Sequence, residues 1–251
     1  MAKSRPKSPL RRGPRPHRRT GLFISLEGIE GSGKTTQSAR LADWLSREGY
    51  DVIRTREPGG TPLAETLRQS LLNTTNEPVT PWTEVLLVLA ARAQHVAHVI
   101  RPALERGAIV LCDRYIDSTL AYQAYGRGLP PAMLLRLHRQ VTDNTLPDLT
   151  LLFDLPVKVG LRRRRQDTGK TNRLDGETNR FHKRVRQGFR DLALKHASRI
   201  RVIPSGRAPE QIHTDVRRML MTVLDRRKDT VVKRTPASTV SPQGMGAHAV
   251  R

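Results

Sequence analysis

Apolar residues along this chain fall into two rhythms. Five short runs are dominated by apolar residues: LFISLE (22–27), YDVIRT (50–55), AIVLCD (108–113), LTLLFD (149–154) and RIRVIP (199–204). Most lack the alternation of a strand with one wet face, so they read as strands buried on both sides. Between them, residues 34–48, 61–73, 82–106, 130–143, 177–196 and 208–225 repeat apolar positions every three or four residues, the period of a helix with one buried stripe. Strands alternating with helices predict a parallel five-stranded sheet with helices on both faces, an α/β fold. No internal repeat is visible.

The two ends break the rhythm. Residues 1–20 hold eight Lys/Arg and no acid, and residues 225–251 hold six Lys/Arg against two Asp. Both are rich in Pro, Ser and Arg and carry no apolar period. They read as disordered basic tails flanking one folded domain over 21–224. Together they carry twelve of the +22 formal charge, and the surplus left on the core suits a site for phosphates. Such tails bind nucleic acid weakly and without specificity; no interleaving of aromatic and basic residues marks a nucleic-acid module.

The 251 residues suffice for one sizeable core. Cys112 is the single cysteine, which excludes an internal disulfide and a cysteine metal cluster. No apolar stretch is long enough to span a membrane. The basic N-terminus lacks the apolar segment of a secretory signal, so the cytoplasm is the expected compartment. Arg-rich, acid-poor ends leave an organelle transit peptide open as the alternative.

GIEGSGKTT (28–36) follows the first strand and opens the first predicted helix. Gly28, Gly33, Lys34 and Thr35 satisfy G-x-x-x-x-G-K-[ST] in the context that confirms it. Glycines let backbone N–H groups turn inward around an anion, and the helix N-terminus adds its dipole. Lys34 is expected on the β- and γ-phosphates and the Thr35 hydroxyl on Mg²⁺. The whole loop, with Ile29, Glu30, Gly31, Ser32 and Thr36, is predicted to hold ATP. The base-reading N-K-x-D of GTPases does not occur, and the length suits a small kinase, which must also grip an acceptor.

The remaining motifs supply that grip. TREPGGTPLAETLR (55–68) follows the second strand and DRYIDST (113–119) the third; LAARAQ (89–94) lies on a helix, and LRRRRQDTGKTNRLD (161–175) lies between the fourth and fifth strands. Parallel α/β sheets place ligands at strand C-termini. Arg56 and Arg114 stand just past two such ends, so both are positioned for one phosphate, which suits the planar arginine fork.

FISLEGIEGSGKTT, TREPGGTPLAETLR, EVLLVLAARAQH, DRYIDSTLAYQAYGRG and PDLTLLFDLPVKVGLRRR, in order from about Leu22 to Arg207, together resemble the thymidylate kinases of bacterial type. The resemblance implies a P-loop nucleoside-monophosphate-kinase-like fold, transfer of the ATP γ-phosphoryl group to dTMP, Mg²⁺ as cofactor and a homodimer. It implies residue roles as well. Arg56 and Arg114 clamp the dTMP phosphate. Glu30 faces the deoxyribose 3′-hydroxyl, Arg92 reads a thymine carbonyl, and Thr119 and Tyr122 lie near base and sugar. Asp113 lies close to Mg²⁺, directly or through water, and Ser205–Arg207 lie beside the adenine. Plainer roles exist: Glu30 as a neutralising charge, Asp113 as a helix cap, Arg92 as an exposed helix residue. A related kinase with another acceptor such as dUMP, or a non-catalytic nucleic-acid-associated homologue, are the competing functions.

Two positions depart from family patterns. The eukaryotic type resembles DRAGKST in its P-loop and supplies an arginine there, where this chain has Gly31. The bacterial type supplies the arginine from a mobile lid, expected here over 161–175, with Arg164 and Arg173 as first candidates and Arg162 next. The family also places Phe four residues before the base-reading arginine; Val88 stands there, forgoing a stacking contact of roughly 1 kcal/mol.

Overall fold

The structure is a computed structural model that describes residues 20–73, 77–166, 172–227 and 231–232. Five strands, β1 (Leu22–Glu27), β2 (Val52–Arg56), β3 (Ile109–Asp113), β4 (Leu149–Asp154) and β5 (Ile200–Pro204), form one parallel sheet in the order β2-β3-β1-β4-β5. β1 lies at its centre, with Leu22 opposite Ile109 on one side and Ile24 opposite Leu149 on the other. The five predicted strands are these five, with boundaries shifted by at most two residues.

Side chains alternate across the sheet, and each face has its own core. Leu22, Ile24 and Leu26 point to one side, against Leu41, Trp44 and Leu45 of α1 (Lys34–Arg47) and Ile212, Val216 and Leu220 of α9 (Pro209–Asp225). Phe23, Val110 and Cys112 point to the other, against Val85 and Leu89 of α3 (Pro81–His95) and Phe181 and Val185 of α8 (Asn179–Lys195). Full burial of each such side chain contributes about 1.5–3 kcal/mol. Cys112 is a buried member of that core.

The helices match the 3.6-residue pattern with three departures. The predicted helix over 82–106 is α3, a π turn (Val96–Ile100) and the short α4 (Arg101–Glu105) in succession. Residues 116–126, not predicted as helix, form α5 (Ile116–Thr119) and a second π turn (Leu120–Gly126). They are buried almost all round, so no polar face marks the period. The first half of the expected lid is helical too: α7 (Val157–Gln166) ends there, and a 3₁₀ turn (Arg173–Gly176) follows. Residues 167–171 of the lid lie outside the described residues. Both α2 (Pro62–Leu72) and α6 (Pro131–Thr142) fall where expected.

The tails fall mostly outside the described residues, with one correction. The chain keeps packing beyond 225. Arg227 donates to Gly21 O at 3.2 Å and to Asp148 Oδ1 at 2.8 Å, Val231 is 8% exposed in the α1/α9 core, and the Val232 N–H donates to Gly107 O at 3.3 Å. Val231 and Val232 set up no period, so composition alone drew the boundary too early. No described helix is long and apolar enough to cross a membrane.

Candidate active site

The C-terminal ends of β1, β2 and β3 open into one cleft of about 1180 Å³. Residues 30–36 form its floor, between β1 and the start of α1. Gly28, Gly31 and Gly33 take φ of 138°, 68° and 90°, which wraps the loop around the helix N-terminus. Lys34 is buried, and its Nζ donates to Gly28 O at 3.0 Å, Ile29 O at 2.8 Å and Ser32 Oγ at 3.3 Å. Burial, with Arg114 nearby, draws its pKa down to about 8. Ile29 itself turns into the core. Thr35 Oγ1 donates to Asp113 Oδ2 at 2.8 Å, and Thr36 is exposed on the cleft floor.

Gly31 meets α7 at very close range. A β-carbon there would stand 2.2 Å from Gly160 O, and one on Gly160 would stand 2.5 Å from Glu30 O. The two glycines let the P-loop and α7 touch backbone to backbone. An arginine at position 31 is excluded by the same contact.

Beyond β2 and β3, the cleft's arginines are held by acids. Arg114 lies across the floor: Nη1 donates to Gly28 O and Ser118 Oγ, both at 3.1 Å, and Nη2 to Glu30 Oε1 at 3.0 Å. Its guanidinium lies 5.0 Å from the Tyr122 ring centroid, and the Tyr122 hydroxyl donates to Glu30 Oε1 at 2.5 Å. Burial raises the Glu30 pKa, but Arg114, Lys34 and Tyr122 outweigh it and hold the carboxyl below its usual range. Arg92 is 1% exposed, which rules out the role of an exposed helix residue. Its Nε donates to Glu57 Oε2 at 2.6 Å and its Nη2 to Thr119 Oγ1 at 3.0 Å, while Nη1 is buried without a partner. Glu57 also pairs with His95 Nδ1 at 3.0 Å, whose Nε2 meets Thr55 Oγ1 at 2.7 Å. Arg56 is exposed and donates to Glu65 Oε2 at 2.8 Å.

The lid candidates divide. Arg163 and Arg164 line the cleft. Arg163 Nη1 donates to Ser205 O at 3.2 Å, and Arg164 forks onto Asp175, with Nη2 3.0 Å from Oδ2. Arg162 is exposed and does not line the cleft. Arg173 turns away from it, its Nε donating to Leu71 O at 3.2 Å and its Nη2 pairing with the buried Glu84 at 2.8 Å. Arg207 reaches the cleft rim while tied to Asp215 at 2.6 Å. Val88 is 8% exposed on the cleft wall.

Sequence reasoning passed over several members. Glu27 is fully buried beneath the P-loop, where burial and then Asp117 push its pKa up to about 8. Arg163, one of four consecutive arginines, was not separable from its neighbours without knowing the helix phase. Glu57 and His95 were in view within the quoted motifs, but nothing in a linear pattern pairs them with Arg92.

A P-loop closing the end of the central strand, with arginines from the ends of β2 and β3 turned into the same cleft, defines a P-loop nucleoside-monophosphate kinase. The chain belongs to the thymidylate kinase family: a family model described as thymidylate kinase matches residues 26–216. It is similar to the thymidylate kinase of Thermomicrobium roseum, at 54% identity over 190 residues, 76% of this chain and 90% of that one. It is also similar to that of Ectopseudomonas mendocina, at 48% over 206 residues, 82% and 98% of the two chains. The solved thymidylate kinase of Ehrlichia chaffeensis shares the fold with a TM-score of 0.64 at 36% identity, over 80% of this chain and 98% of its own.

Proposed function

We propose the following reading. The protein is a dTMP kinase that transfers the γ-phosphoryl group of ATP to dTMP, giving ADP and dTDP. The observation that carries it is the convergence of the P-loop, Arg56, Arg92 and Arg114 on one cleft. The P-loop amides and Lys34 hold the donor phosphates, and Arg207 lies toward the adenine. Arg114 and Arg56 hold the acceptor phosphate, Glu30 and Tyr122 the sugar. The unpartnered Nη1 of Arg92 offers the donor for a thymine carbonyl, with Thr119 beside it. Phosphoryl transfer asks for alignment and charge neutralisation more than for covalent participation by side chains.

Mg²⁺ fits the residues present. Thr35 Oγ1 and Asp113 Oδ2, 2.8 Å apart, form a hard-oxygen pair beside the P-loop lysine. The ion, when bound, offsets phosphate charge. Arg164 and Arg163 are best placed to meet the charge on the transferring group. Arg173 joins them only by leaving Glu84, and Arg162 does not line the cleft.

The homodimer has a candidate face: Trp82 and Leu86 on α3 and Met133 and Val141 on α6 are exposed, and the two helices pack together. Its test is the sedimentation mass. Free nucleotide substrates fit a cytoplasmic enzyme, and the basic tails fit weak nucleic-acid binding. Val88 in place of an aromatic residue favours a broader acceptor range that includes dUMP. A coupled assay of ADP release with dTMP, dUMP, dCMP, dGMP and AMP tests the whole reading. dTMP is expected to give the highest kcat/KM. Release no faster with dTMP than without acceptor, alongside turnover of another monophosphate, refutes it.

A further inference from the structure

Arg114 adopts φ of 72°, the left-handed region that a side chain disfavours. The surroundings that hold it there can be named. Its own N–H donates to Leu26 O at 2.9 Å. The next N–H, of Tyr115, donates to Glu27 Oε1 at 2.7 Å, and the Ser118 hydroxyl donates to Glu27 Oε2 at 2.6 Å. Ser118 Oγ in turn accepts from Arg114 Nη1 at 3.1 Å. The last two residues of β1 therefore grip the backbone on both sides of the strained position. One of them also reaches the guanidinium through a single hydroxyl. Glu27 is 0% exposed and Ser118 9%, so water is poorly placed to substitute for either.

We propose that Glu27 is a positioning residue for Arg114, with Ser118 as its relay. The buried carboxyl fixes the turn from Asp113 to Ser118, and the relay sets the direction of the guanidinium across the P-loop floor. Glu27 need not touch either substrate. Its work is to make the arginine's geometry independent of ligand, so that the acceptor phosphate meets a preset fork. The inference rests on the reading of Arg114 as the acceptor arginine.

A merely structural carboxyl would affect stability and both substrates alike. The test is therefore a mutant cycle read in both KM values and the melting temperature, on the full chain with Arg114→Ala, Ser118→Ala, the double variant and Glu27→Ala. Arg114→Ala is expected to raise KM for dTMP by more than about tenfold, as loss of a charged hydrogen bond should. Ser118→Ala is expected to raise it about three- to tenfold, less than loss of the guanidinium itself because the charge remains, with KM for ATP unchanged and a melting temperature lowered by a few degrees as Glu27 Oε2 loses its donor. In the Arg114→Ala background the Ser118→Ala change is expected to add nothing, because the relay has lost its target. Glu27→Ala is expected to exceed Ser118→Ala; should it not fold, the near-isosteric Glu27→Gln, which puts an amide where Ser118 donates, is expected to raise KM for dTMP and not for ATP, and normal KM values there overturn the proposal. Full additivity in that cycle, or equal rises in both KM values, overturns the proposal. An Arg114→Ala enzyme with normal KM for dTMP overturns the reading beneath it, so the two failures are told apart.

Discussion

The two walls of the cleft hold their arginines by different means. On the acceptor wall, Arg114 and Arg92 are tied to acids that are themselves tied to the sheet: Glu30 in the loop after β1, and Glu57 just after β2. These cations are already in place, and little has to be undone for an acceptor nucleotide to reach them. On the lid wall, Arg164 is paired with Asp175 of the lid's own 3₁₀ turn, and Arg173 with Glu84 of α3. Arg163 reaches toward the sheet, through Ser205 O. A cation paired away from the reaction centre must change partner before it can act. Under the proposed function, Arg114 and Arg92 are preset for binding, whereas the lid arginines, like the exposed Arg56 held by Glu65, act after a change of partner.

That difference can be broken most sharply at α7. The double variant Arg163→Ala/Arg164→Ala should lower kcat about 10³-fold while both KM values stay within a few-fold, since an arginine that acts on closure stabilises mainly the transition state. Steady-state kinetics decide it, and a near-normal kcat would erase the contrast. The reverse signature belongs to Arg56→Ala. Removing one charged contact of about 1.5–3 kcal/mol should raise KM for dTMP roughly tenfold to hundredfold and leave KM for ATP unchanged.

A smaller effect sharpens the position of Arg173. Arg173→Ala should lower stability by about 1–3 kcal/mol in denaturant melts, and Glu84→Gln by at least as much, because the buried Glu84 also pairs with Arg127. If Arg173 also serves the reaction, kcat falls in Arg173→Ala and not in Glu84→Gln; equal kcat values mark it as an anchor only. The last effect is a pH slope, small per pH unit. Glu27 releases its proton near 4.5 when unfolded and near 8 when folded. The folded state binds more proton between those values, so the stability linked to Glu27 is complete below pH 4.5 and lost as pH rises through 8. The slope is at most about 1.4 kcal/mol per pH unit, and Glu27→Gln should flatten it.

The same contrast explains what the sequence disclosed. The P-loop, Arg56 and Arg114 were legible because each stands beside a strand end, and strand ends in a parallel sheet point at the ligand. Arg92 was legible through the family motif, although its burial was not. The lid arginines were ambiguous because four consecutive residues of one type share no phase: only the helix decides that 163 and 164 line the cleft while 162 does not. Glu27 was invisible for a different reason. It sits in an apolar run and looks like the last residue of a strand, and its partners lie about 90 residues away.

The segment after α9 has a consequence of its own. In the space that a side chain on Gly107 would fill, Val232 Cγ2 lies 2.6 Å and Thr20 Oγ1 3.5 Å from the β-carbon position. The first and last described parts of the fold therefore meet, at the N-terminal edge of the strands and a full strand length, about 20 Å, from the P-loop. In covalent terms the domain is close to a ring. Joining residues 20 and 232 by a short linker and reopening the chain at an exposed turn such as Gly128 would give a circular permutant with the same sheet order and the same cleft.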